Sequence, residues 1–229
     1  MAKKRKKTRK ELLKEPDEFL TISSKLINLA IEYKTQLSYV LGFILVLGVI
    51  ISGIRFFSIR AENNASALLE KSLMKYNSIK AEKMPAEVYD EVTADFQSIL
   101  DKYNGKESAK LARLTYANIC YDAGKYEQAI ELYKAAQAEF EEYPMILHQI
   151  LSNLGFSYEK QEDYVTAISY FEKISSASEP ILRDEALYHL GRLYDKLGQI
   201  EKSREAYNKI LNDHQDFIYI DIVKERMSG

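Results

Sequence analysis

The chain has 229 residues, 46% of them hydrophobic and 29% charged, with a formal net charge of −2. That total conceals a polarity: residues 1–36 carry ten Lys/Arg against five Asp/Glu, and residues 61–229 carry twenty against twenty-nine. The acidic majority argues against nucleic acid as a main partner, because phosphate binding needs neutralising cations. The single cysteine, Cys120, excludes an intramolecular disulfide.

The chain begins with seven cations, Lys3, Lys4, Arg5, Lys6, Lys7, Arg9 and Lys10. Next, Phe19, Ile22, Leu26, Leu29 and Tyr33 recur at three- and four-residue spacing within Asp17–Lys34, which predicts an amphipathic helix. Pro16 suits its first turn, and Asp17 and Glu18 suit the positive end of its dipole. Such a helix fits a membrane interface or a partner's helix equally well.

From Thr35 to Ile54 there are 20 residues without a charge, bounded by Lys34 and Arg55. As a helix they cover roughly 30 Å, the thickness of a bilayer core. Tyr39 and the Phe56-Phe57 pair sit near its ends, as interfacial aromatics do. A buried core helix is the alternative, and an apolar run of this length is rare in one. A cleaved signal peptide is disfavoured because both its charged and its apolar regions would be too long. Ala65-Ser66-Ala67 resembles a cleavage site but lies about ten residues beyond the apolar run. Ser38/Gly42 and Gly48/Ser52 would permit close helix pairing, a pattern also common by chance.

The short-loop count of cations places the N-terminus in the cytoplasm. Close to the membrane the count is nearly even, with Lys25 and Lys34 before the span and Arg55, Arg60 and Lys71 after it.

Beyond the span the chain repeats. Ala117, Gly155 and Gly191 are each followed twelve residues on by Ala129, Ala167 and Ser203. Four further on come Tyr133, Phe171 and Tyr207, and three beyond those Ala136, Ile174 and Ile210. This period predicts a helical-hairpin solenoid. The small residues let paired helices approach, and the ring is expected to fill the space between one pair and the next. Tyr158 and Tyr194 share the slot three residues after the first small residue. Cys120 holds that slot in the first unit, which predicts a packed core thiol.

Turns are expected at 123–126, 161–164 and 197–200, with Pro144 and Pro180 at the connections. Val92, Phe96 and Ile99 mark a degenerate preceding unit whose first helix covers about Ala61–Lys80. Ile218–Met227 predicts a capping helix.

These units resemble the tetratricopeptide repeat over about residues 110–213. They lack its tryptophan, run to 36 and 38 residues, and have proline late or absent. The resemblance implies stacked hairpins around a concave groove. The fold class is all-α, a single transmembrane helix followed by a solenoid of this kind. Expected boundaries are a basic tail with its amphipathic helix over 1–34, the transmembrane helix over 35–57, the degenerate hairpin over 58–108, and three repeats with a cap over 109–229.

Basic tail, single span and acidic repeats together resemble the YfgM-like ancillary subunits of the bacterial SecYEG translocon. Ala109–Glu131 and Ile218–Arg226 carry that likeness, and the long tail departs from it. The resemblance implies a scaffold in the bacterial inner membrane with periplasmic repeats. Its implied partners are Sec translocon subunits, a periplasmic chaperone or foldase, and unfolded clients.

No enzyme chemistry is legible. His148, His189 and His214 are dispersed, and no metal, phosphate-loop or paired-cysteine motif occurs. No cofactor is expected. Glu139, Glu141 and Glu142 read as a solvated helix end. By the repeat register, the concave face would offer Leu114, Asn118 and Tyr121, then Ser152, Asn153 and Phe156, then Tyr188, His189 and Arg192. Asparagines can bond an extended peptide backbone, and the rings give apolar contact. The alternative is that these side chains form a packed wall between repeats. Two functions fit: a translocon-associated scaffold, or a structural coordinator of envelope assembly or cell division that handles no clients.

Overall fold

The computed structural model describes residues 18–178, 181–213 and 216–228. The basic run at 3–10, Pro16, Pro180 and His214 lie outside these residues. The chain divides into two compact units, Met1–Ile59 and Arg60–Gly229. Among the described residues all regular structure is helical.

The first unit contains α1 (Glu18–Glu32) and the start of α2 (Lys34–Ile79). Tyr33 is the turn residue between them. Its N–H donates to the Leu29 carbonyl at 3.0 Å, and its own carbonyl accepts from Leu37 at 2.9 Å. The apolar run from Leu37 to Ile54 lies on α2, and none of its most apolar 18-residue window is buried. By length and composition it can cross a membrane.

In the second unit, α2 from Arg60 onward buries Ala65, Leu69 and Ser72, spaced at four and three residues along one stripe. The partner helix α3 (Pro85–Tyr103) buries Val88, Val92, Phe96, Ile99 and Leu100. Lys75 ties the two helices, reaching the Glu91 carbonyl at 2.6 Å and the Asp95 carboxylate at 2.7 Å. Full burial of Phe96 alone contributes roughly 2–3 kcal/mol.

Three hairpins follow: α4 (Glu107–Asp122) with α5 (Tyr126–Glu139), α6 (Pro144–Lys160) with α7 (Tyr164–Ser175), and α8 (Arg183–Lys196) with α9 (Ile200–Asp213). The chain closes with α10 (Ile220–Ser228), which buries Val223. Helix α4 has no side-chain cap of its own; instead Glu62 of α2 accepts from Glu107 N–H at 3.0 Å and Ser108 N–H at 2.9 Å. The Ser108 hydroxyl and these amides hold the Glu62 carboxyl below the usual range against the cost of burial.

The three hairpin turns share one geometry. Gly124, Glu162 and Gly198 have φ of 75°, 63° and 70°. In each, the following amide donates to the carbonyl five residues back: Lys125 to Cys120, Asp163 to Tyr158, Gln199 to Tyr194. This is the Schellman closure, which favours glycine in the left-handed position. The carbonyls that close it belong to the slot three residues after the small residue, so the repeat register also sets the turn.

The small residues and rings meet within one hairpin. A Cβ on Gly155 would lie 2.7 Å from the Phe171 ring, and one on Gly191 would lie 2.4 Å from Tyr207. Each ring thus packs on the small residue of its own hairpin, and Phe171 also reaches His189 of the next hairpin at 5.0 Å. Cys120 is fully buried, and burial pushes its thiol up to about 12.

Glu139 departs from the expectation of a solvated helix end. It pairs with Arg113 across α4 and α5, and Arg113 also donates to Asn104 at 2.9 Å. With side chains 10% and 19% exposed, this is an internal tie of the first hairpin, not a solvated helix end.

Candidate functional site

The first helices of the three hairpins, α4, α6 and α8, carry all nine residues expected on the binding face. Eight of them are exposed or half-buried; Ser152 is buried. Ser152 holds the slot three residues before the small residue, as do Leu114 and Tyr188. Those two side chains are long enough to emerge from between the helices, and serine is not.

Two junctions are built the same way at equivalent positions. At the first, the Asn118 Oδ1 accepts from the Tyr133 hydroxyl at 2.6 Å and from Asn153 Nδ2 of the next hairpin at 3.2 Å. At the second, the Phe156 ring meets Phe171 of its own hairpin at 5.4 Å and His189 of the next at 4.7 Å. The residue after the small slot thus contacts the ring at plus sixteen and the residue two before the next small slot. One junction is made of amides and a hydroxyl, the other of rings.

The second junction is reinforced by charge. Arg192 makes a bidentate pair with Glu159, both contacts at 2.6 Å. Burial pushes the Glu159 carboxyl up, but Arg192 outweighs it and the group lies below the usual carboxylate range. His189 stacks on Phe171 at 5.0 Å. Burial, then the Arg192 charge, bring its imidazole down to about 4 against the pull of Glu159. It is neutral near pH 7.

At the last hairpin, Tyr188 stacks on Tyr219 at 5.3 Å and meets Phe217 at 5.8 Å, both from the segment before α10. Glu159, Gln149, Phe217 and Tyr219 were not legible as members of this face. For Glu159 a signal existed, since it follows its small residue by four and faces the arginine one past the next small residue.

Phe156, His189 and Arg192 therefore spend their contacts on neighbouring repeats. The open part of the face is the first hairpin. Asn118 is exposed and Leu114 and Tyr121 are half-exposed. Gln149 Nε2 donates to Asn153 Oδ1 at 3.1 Å, continuing a directed chain of amides that runs Gln149, Asn153, Asn118. Its two ends keep an unspent acceptor on Gln149 and unspent donors on Asn118 among the described residues. Such a chain can pair with the N–H and C=O groups of an extended backbone.

Grooves also lie elsewhere on the repeats. One of about 450 Å³ is lined by Tyr76, Lys80, Val88, Ile119 and Asp122; another of about 490 Å³ is lined by Lys134, Gln137, Leu147, Leu151 and Lys173. No cluster of three or more His, Cys, Asp or Glu able to hold a metal occurs among the described residues.

Two family models match the chain, both described as tetratricopeptide repeat, over residues 87–144 and 146–215. No curated protein matches. Among solved structures, the crystal structure of BtubC (BKLC) from P. vanneervenii is similar at 13% identity with a TM-score of 0.42, over 70% of this chain and 74% of that one. That likeness is too distant to bear on function.

Proposed function

Because this chain carries tetratricopeptide repeats across residues 87–215, a protein–protein interaction scaffold, we propose that it works as a single-pass membrane anchor presenting those repeats to partner proteins. The observation that carries this reading is the open first hairpin, where the Asn118 donors stand beside Tyr121 and Leu114. An extended segment would pair its backbone with Asn118 and Gln149 and rest apolar side chains on Leu114 and Tyr121.

The membrane reading is supported by the uncovered apolar run on α2 and by the tyrosine and phenylalanines near its ends. The excess of cations before the span supports a cytoplasmic N-terminus with the repeats on the opposite side; a bacterial inner membrane and periplasmic repeats are what the resemblance to YfgM-like subunits implies. The likeness in layout to YfgM-like subunits extends the proposal to the Sec translocon, its periplasmic chaperones and emerging clients.

Extraction of the tagged full chain in mild detergent, followed by mass spectrometry, tests the partner. Recovery of translocon subunits supports the proposal. Recovery of division or cell-wall factors alone contradicts it and favours the structural-coordinator reading. A C-terminal alkaline phosphatase fusion tests orientation: an active fusion is expected, and a well-expressed inactive one refutes periplasmic repeats.

A further inference from the structure

Helix α1 carries an apolar surface that no described residue covers. Ile22, Leu26, Ile27, Leu29 and Ile31 are each more than half exposed, and Tyr33 is 45% exposed. At about 100° per residue, these side chains sweep roughly 200° of the helix. Ser24, Lys25, Asn28 and Glu32 share the remaining side. A helix this apolar on its outer surface is not stable alone in water.

Three observations select its cover. Helix α1 is separated from α2, which carries the membrane-length run, by one turn residue, Tyr33, so the arc ends close to where the bilayer surface must lie. Tyr33 supplies the joint at which the chain can change direction. The sequence ahead of α1 places seven Lys/Arg within residues 3–10, separated from it by residues 11–17 with three Asp/Glu and one Lys, while the polar side of α1 is nearly neutral. Cations beside an amphipathic helix complement anionic headgroups, and a second copy of the chain would bring like charges together.

We infer that α1 lies in the leaflet on the N-terminal side of the span, and that the basic run binds anionic lipid headgroups there. The span is then one of two membrane contacts. The inference rests on the reading of α2 as a membrane helix.

The chain contains no tryptophan, so single reporters are unambiguous. Leu26→Trp marks the apolar arc, Asn28→Trp the polar side and Val46→Trp the span; all three positions are exposed, so the fold is not at risk. The full chain is reconstituted in phosphatidylcholine vesicles with and without phosphatidylglycerol. Brominated acyl chains quench from the lipid and acrylamide quenches from water. Val46→Trp should be quenched by bromine in both vesicles. Leu26→Trp should be quenched by bromine at least about twofold more than Asn28→Trp, and more with phosphatidylglycerol present. Replacing Lys3, Lys4, Arg5, Lys6 and Lys7 with Gln should remove that increase. Acrylamide quenching of Leu26→Trp and Asn28→Trp alike overturns the inference, as does shielding of Leu26→Trp from both quenchers, which means protein covers it. Equal bromine quenching with and without phosphatidylglycerol overturns the anionic part. An unquenched Val46→Trp overturns the span reading itself, and this inference with it.

Discussion

The Tyr207 ring lies so close over Gly191 that a Cβ on that glycine would sit 2.4 Å from it. Gly155 and Phe171 repeat the relationship at 2.7 Å. Gly191→Ala should therefore destabilise the repeats by about 1–3 kcal/mol, as overpacking does. Thermal unfolding reads the loss. Combining it with Tyr207→Leu should recover part of it, because the two changes couple through one contact. Strict additivity of the two substitutions would contradict the contact.

The hydroxyls of Tyr133 and Tyr207 should behave differently despite equivalent positions. Tyr133 donates to Asn118, whereas the Tyr207 hydroxyl is buried with no hydrogen-bond partner among the described residues. Tyr133→Phe is expected to cost about 1 kcal/mol, since it removes one of the two hydrogen bonds that Asn118 Oδ1 accepts at the junction. Tyr207→Phe should be neutral or stabilising. Denaturant midpoints at unchanged slope distinguish them.

Glu162 occupies the left-handed turn position that glycine fills at 124 and 198. Glu162→Gly should raise stability by about 0.5–1 kcal/mol by removing a Cβ penalty. Gly124→Glu should lower it by a similar amount. Differential scanning calorimetry on both variants checks the opposite signs.

Acid should weaken the second junction before it reaches ordinary carboxylates. The His189 imidazole faces Arg192 on its own helix, Glu159 on α6, and the rings of Phe156, Phe171 and Tyr188. Its value is about 4 in the folded protein against 6.5 for the ordinary group. The unfolded chain therefore binds more protons between these values, so stability falls as pH drops through that window. From pH 7 to pH 5 the loss is about 2 kcal/mol. The Glu159 contribution, from a carboxyl held low, is lost only below 4.5. His189→Phe keeps the stacking and should flatten the melting temperature between pH 7 and pH 5. An unchanged pH slope in that variant would assign the effect elsewhere.

The repeat register was readable because Ala117, Gly155 and Gly191 and their rings obey fixed spacings, and packing within a hairpin enforces those spacings. The same logic found Val92, Phe96 and Ile99 without any small residue to anchor them. Relations between hairpins were less legible. Asn118 with Asn153 and Glu159 with Arg192 span thirty-three to thirty-five residues, where variable connections blur the spacing. Ser152 is buried because serine is too short to emerge from the slot it shares with Leu114 and Tyr188. Phe217 and Tyr219 come from an irregular segment with no periodicity to reveal that they cover Tyr188.

The account stands on the first hairpin as the open contact face for a partner. A photo-crosslinking amino acid at Tyr121, compared with one at Val165 on α7, tests this in cells expressing the full chain. Val165 is 70% exposed and lies on a second helix of a hairpin, away from the amide chain. The account predicts a discrete partner adduct from position 121, absent at 165 and lost when Asn118→Ala is added. Adducts from 165 alone, or a 121 adduct indifferent to Asn118→Ala, would contradict it.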